Sequence, residues 1–318
     1  MDQRFMQRIA TVLCINLILV LGLQVFMGNS GILSFAHIGF MGIGAYTSAV
    51  LAMPVRMKSM ALPDLYSCLA TIELSPILAI LIGALVAGLV AALVSYPLMR
   101  LSDAAAVITS FALLVVIHTI MVHWSALTNG PRTLFGLKSA TNLYLAAGSA
   151  VVMVALALFF KESRAGVLLR AVRDDEIAAV GMGAHLSRLR WYGFILSALM
   201  AGFAGGLWAH FITSFSPNAF YLKETFVILG MLIIGGSLTV SGAVFGTFAV
   251  TIAYELLRFT ESSINIAQLF PKPVVGLTEV VLACAMIATL ILKPGGIMGA
   301  REIGHWNIFR KFFPDKNV

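Results

Sequence analysis

Long apolar runs separated by short polar stretches organise this chain. The runs fall near residues 9–27, 32–53, 76–99, 104–124, 142–160, 191–210, 224–240, 242–258 and 274–292. A helix rises 1.5 Å per residue, so about 20 apolar residues cross a hydrocarbon core about 30 Å thick. The pattern therefore predicts an all-α transmembrane fold, a polytopic helical bundle of about 8–10 membrane segments. Residues 1–318 read as one membrane domain, with a polar loop at 161–190 and a polar tail at 293–318.

Composition agrees with the pattern. Hydrophobic residues make up 60% of the 318 residues and charged residues 11%, where a soluble domain carries about a quarter. The net charge of +7 raises the question of nucleic acid, but the basic residues sit in loops between apolar runs, where they set topology. Lys161, Arg164, Arg170, Arg173, Arg188 and Arg190 mark loop 161–190, and Lys293, Arg301, Arg310, Lys311 and Lys316 mark the tail. Both regions should be cytoplasmic, and the four segments between them give consistent parity. The loops near 54–74, 125–140, 211–223 and 259–273 then face outward. The first run, with Arg4 and Arg8 before it, is long for a cleavable leader and reads as an uncleaved helix. It also creates a conflict. If every segment crosses once, Arg4 and Arg8 lie outside; if they lie inside, an early segment fails to cross, and 32–53 is the best candidate.

That second segment holds Gly31, Ser34, His37, Gly39, Gly42, Gly44 and Tyr46. Two readings stand. The glycines permit close helix packing, or the helix is interrupted and these residues line a translocation pathway, since irregular backbone at membrane depth belongs where protein or a cavity surrounds it. Gly202 with Gly206, and Gly242 with Gly246, have the spacing of tight helix contacts. Gly31-Ile-Leu-Ser echoes Gly236-Ser-Leu-Thr, as inverted repeats would, although common Gly and Leu explain so short an echo.

The chain has no metalloprotease, nucleophile-elbow or Walker A motif, and no Gly-Lys dipeptide. No catalytic or metal site is expected. Cys14, Cys68 and Cys284 lie too far apart in sequence for a metal or disulfide pattern. His37, His118 and His210 read as packing or hydrogen-bonding residues. Asp103, Glu255 and Glu279 are the acids an ion-coupled carrier would use. A charge at mid-membrane costs about 3 kcal/mol, so Glu279 should lie near the outer end or face protein or water.

The most informative polar stretch runs from Arg170 to Arg190. Asp174, Asp175 and Glu176 put negative charge at the start of a short helix, which its dipole favours. Ile177, Ala178 and Ala179 offer a small apolar face, and Gly181 and Gly183 permit a turn. Such a projecting helix suits docking in a partner's groove; an ordinary solvated loop fits the charges equally well.

A resemblance weights this choice. Arg170, Ala171, Arg173, Asp174, Asp175, Glu176, Ile177, Ala178, Ala179, Gly183 and Arg190 resemble the coupling segment of permeases from branched-chain amino acid ABC transporters. Similar motifs run along nearly the whole chain: Gly31 to Tyr46, Thr128-Asn-Gly-Pro131 with Gly136, Gly235 to Gly242, Glu255, and Lys293 to Gly299. The acidic coupling pattern is closer to the LivM-type subunit than to its LivH-type partner. Departures occur at Asn129, at Asp103, at Lys293-Pro-Gly and at Glu279, and they bear on the substrate. The resemblance implies a multi-pass subunit of the bacterial inner membrane that translocates branched-chain amino acids or related small solutes and is not itself an enzyme. Its partners would be a second, homologous permease, two cytoplasmic ABC ATPases and a periplasmic solute-binding protein. ATP would be used by those partners, with no cofactor on this chain. A stand-alone ion-coupled carrier is the alternative.

Overall fold

A computed structural model describes residues 3–101, 103–266, 276–293 and 295–299. Most of the tail, including Arg301, Arg310, Lys311 and Lys316, and much of the loop near 259–273 lie outside the described residues. The chain begins with α1 (Gln3–Ser30), α2 (His37–Ala52) and two short helices, α3 (Val55–Ala61) and α4 (Ser67–Ala70). Next come α5 (Pro76–Leu98), α6 (Asp103–His123), the one-turn α7 (Ser125–Thr128) and α8 (Leu143–Glu162). The polar helices α9 (Arg164–Asp174) and α10 (Glu176–Gly181) lead into α11 (Leu186–Ile212). The chain continues through α12 (Leu222–Gly235), α13 (Val240–Ile266) and α14 (Leu277–Leu292). Among the described residues, seven spans are long and apolar enough to cross a membrane, one of them α12 together with the 3-10 turn Pro217–Phe220 before it; α2 and α14 are shorter at 16 residues. The chain is a multi-pass all-α membrane protein, because helices satisfy every backbone group within the segment that crosses lipid.

Small side chains build the centre. Helix α11 packs on α1, α2 and α5 through Gly22, Gly44, Gly83 and Gly202, Gly205 and Gly206. A side chain at Gly44 would collide with the Gly202 backbone, and one at Gly205 with the Met41 carbonyl. Phe26, Phe40 and Phe194 fill the remaining space edge to face.

We call the face carrying α9 and α10 inner, following the charge argument. Arg173 Nη1 donates to the Gly28 carbonyl at 2.6 Å, so the C-terminal end of α1 is at that face. The segment 295–299 is there too: Ile297 N donates to Ile234 O at 3.0 Å and Met298 N to Gly235 O at 3.2 Å. The motifs around Gly236 and Gly296 thus touch each other. At the opposite face the connecting loops knit into a cap. Leu134 and Phe215 exchange backbone hydrogen bonds at 2.8 and 3.0 Å. Thr141 Oγ1 donates to Leu207 O at 2.8 Å, and Lys138 pairs with Glu73 at 3.0 Å.

The second segment is interrupted. Residues 31–36 are not helical, and Ile32, Ser34 and Ala36 are buried within protein. Phe35 N reaches Ser110 Oγ at 3.2 Å. From His37 the chain is helical and ends at the outer cap, where Leu74 N donates to Leu51 O at 2.9 Å. Helices α1 and α2 together therefore cross and return, and this resolves the parity conflict with Arg4 and Arg8 on the outer side. Two arginines are a weak topological signal beside the larger inner cluster.

Candidate functional site

Among the described residues, two places combine polar chemistry with an accessible surface. The first is a cavity of about 510 Å³ that opens at the outer side. Helix α1 contributes Arg8 and Asn16, α12 contributes Glu224, and α13 contributes Thr251, Tyr254, Glu255 and Arg258. Leu19, Ile38, Met41, Ile228 and Met231 form its apolar remainder. The geometry follows from how α12 and α13 pack. Their inner ends are pressed together, because Gly235 and Gly246 leave no room for a Cβ between them. Their outer halves instead face the cavity.

The second place is the inner surface around α10. Asp175 caps this helix by accepting from Ala178 N at 2.9 Å. Asp174 closes α9 and pairs with Arg173 at 2.9 Å. Glu176 pairs at 3.4 Å with Arg190, whose side chain is buried on α11. Gly183 has φ +89° with nothing near it, so the turn needs glycine for its backbone conformation. Ile177 is 86% exposed and Met182 79%, with Ala178 and half-exposed Val180 alongside. Ala179 differs from the expectation that it shares the docking face. It is buried against its own chain, because a six-residue helix must turn one side inward to stay attached. The apolar tip is thus Ile177, Ala178, Val180 and Met182.

The residues singled out in the second segment lie elsewhere. Gly39 packs on Ile117, Gly42 on Met121 and Phe220, Gly44 on Gly202, and Gly31 on the Arg173 side chain. His37 Nε2 is 2.8 Å from Ser197 Oγ, and Tyr46 stacks edge-on with Phe215. Ser34 is buried, with no partner for its hydroxyl. None of the seven lines the outer cavity, and the same segment sends Ile38 and Met41 there instead. Glu255 does line it, whereas Glu279 sits in the first turn of α14, paired with Lys223 at 2.6 Å. Asn16, Glu224, Thr251, Tyr254 and Arg258 were not singled out in the sequence. Their signal was available, as polar residues inside or bordering apolar runs, where they are costly. Among the described residues no His, Cys, Asp and Glu cluster could hold a metal ion.

The family described as "Branched-chain amino acid transport system / permease component" matches residues 5–290. The chain is 26% identical to the high-affinity branched-chain amino acid transport system permease protein LivM of Escherichia coli, over 91% of this chain and 69% of that one. It is 30% identical to a probable LivH permease of Methanocaldococcus jannaschii, over 47% of this chain and 45% of the relative. The Escherichia coli LivH permease is 27% identical over 48% of this chain and 46% of its own length. No solved structure matches.

Proposed function

The chain belongs to the permease-component family of branched-chain amino acid transport systems, and from that premise we propose that it is half of the membrane pathway of an ATP-driven importer. Its cargo would be branched-chain amino acids or close relatives, brought across the inner membrane of a bacterium. A second permease of the same family completes the pathway, two ATPases dock on the inner face, and a periplasmic binding protein delivers solute to the outer cavity. ATP is bound and spent by the ATPases; this chain makes and breaks no covalent bond.

The observation that carries this reading is the exposed apolar tip of α10. A short helix held by the Asp175 cap and the Glu176–Arg190 pair, yet presenting Ile177 and Met182 to water, is built for a groove on another protein. Closure of the ATPase pair would carry α10 with it. Helix α9 passes the movement to the α1–α2 junction through the Arg173–Gly28 hydrogen bond. Helix α11 passes it outward, and the two faces alternate in access. The family favours this reading over an ion-coupled carrier.

Co-purification tests it. The ATPases should remain bound to the wild-type permease in mild detergent. Ile177→Asp, an exposed change worth no more than about 0.5 kcal/mol of fold stability, should release them and abolish uptake. Full ATPase binding and uptake in that variant would overturn the docking role of α10.

A further inference from the structure

Resting on the importer reading above, we propose that the outer cavity binds the zwitterionic head of the solute. Glu224 and Glu255 take its ammonium group, and Arg258 and Arg8 take its carboxylate. The lining charges are balanced, two arginines against two glutamates, so a solute carrying both signs matches them, while a simple anion or cation leaves one pair unanswered. Among the described residues, none of these four makes an ion pair or side-chain hydrogen bond within the chain, although Lys223, Arg173 and Arg190 do. Arg8 and Arg258 are exposed at the mouth, whereas Glu224 and Glu255 are partly buried; partial loss of water without a partner is costly for these two acids, and a charged ligand offsets that cost when it arrives.

Thr251 points the same way independently. It is 5% exposed and lines the cavity, and its hydroxyl has no hydrogen-bond partner. Buried polar groups are nearly always satisfied, so a hydroxyl left open toward a cavity marks a place where a ligand or its water binds. Depth orders the site. Glu224 and Arg258 lie on the outer turns of α12 and α13. Met231 and Thr251 are seven residues further in on the same helices, about 10 Å at 1.5 Å per residue. Met41 and Ile228 join Met231 in the apolar part. The head therefore binds outermost and an aliphatic tail points inward. The volume of about 510 Å³ falls within the range for small-molecule pockets.

The test uses the full complex, reconstituted with its partner permease, ATPases and binding protein in liposomes, and radiolabelled leucine. Glu224→Gln and Arg258→Gln should each lower leucine uptake about tenfold, the loss expected for one charge-assisted hydrogen bond. Thr251→Val should lower it severalfold. Retention of the ATPases through purification is the folding control. A second readout needs no turnover. In a chain with Cys14, Cys68 and Cys284 changed to serine, Asn16→Cys should react with a small thiol reagent from the outer side. Leucine should slow that reaction. 4-Methylpentanoate, which lacks the ammonium, and 3-methylbutylamine, which lacks the carboxylate, should not. Wild-type leucine uptake with Glu224→Gln and Arg258→Gln at the wild-type rate overturns the site and leaves the importer reading standing. Equal protection by leucine and its two truncated analogues also overturns it. Absence of uptake of any zwitterionic solute by the wild type overturns the importer reading itself, and the site with it.

Discussion

Where α2, α5 and α11 meet, backbone lies against backbone: Gly44 on Gly202, Gly205 on the Met41 carbonyl, and Gly83 on the Gly44 carbonyl. Where the outer halves of α12 and α13 face α1, charged and hydroxyl side chains border a cavity, and Thr251 keeps an unsatisfied hydroxyl. The first region gains close van der Waals contact, which drives helix association when lipid is as apolar as the helices. The second gives up contact and leaves polar groups unmet. This contrast separates a close-packed scaffold from a polar cavity wall. The same chain uses small residues to fix one set of helices and leaves another set incompletely packed around a cavity.

The largest test of this contrast is Gly44→Val. The added Cβ already collides with the Gly202 backbone, which cannot rotate aside as a side chain would, and two methyl groups must be fitted beyond it. Overpacking costs about 1–3 kcal/mol or more, so little folded protein should survive detergent extraction, as measured by monodisperse yield. A normal yield would show that the central packing is softer than its geometry.

A smaller effect comes from the inner face, where α11 extends the scaffold to α10. Glu176→Gln weakens the pair with Arg190. Because Glu176 is half exposed, solvent screens the pair, and the loss should be about 1 kcal/mol. It should appear as a lower melting temperature and faster proteolysis in 175–185. Unchanged protection there would mean that α10 is held by other contacts, such as buried Ala179.

The cavity wall should respond in the opposite sense. Thr251→Val replaces an unsatisfied hydroxyl by a methyl of similar size. Stability should stay level or rise by up to about 1 kcal/mol, while leucine uptake falls. A variant that is both less stable and less active would place Thr251 with the scaffold.

The smallest effect concerns the outer cap. The Glu73 carboxyl lies below its ordinary range, chiefly because Lys138 donates a hydrogen bond to it. A depressed carboxyl adds stability that is in place above the unfolded value near 4.3 and is lost as pH falls through the lower folded value. Cap stability should therefore decline only in strongly acidic solution. Glu73→Gln should flatten that part of the pH profile without touching the neutral plateau.

Much of this was legible along the chain. The nine apolar runs correspond to nine helices, usually within a few residues, because run length and bilayer thickness are tied together by helical rise. Asp175 at the start of α10 and Gly183 after it were readable from local chemistry, since caps and positive φ depend on neighbours in sequence. The interruption at 31–36 was a candidate from Gly31 and Ser34. The outer cavity was not legible. Asn16, Glu224, Thr251 and Arg258 each looked like an isolated polar residue in or beside an apolar run.

The sequence by itself determined that the chain is an all-α membrane protein, where its helices lie, and which polar loop carries a short helix with an exposed apolar face. These properties depend on interactions within a turn or on transfer of a whole segment to lipid, and both are local. Only the tertiary structure decided which glycines became contacts and which polar residues became neighbours. Gly39, Gly42 and Gly44 share one helix, yet meet Ile117, Met121 and Gly202; no spacing rule specifies those partners. Arg8 and Arg258 are 250 residues apart in the chain and line one cavity. They do so because Gly235 and Gly246 bring the inner parts of α12 and α13 together, while the outer halves of both helices form a wall with α1.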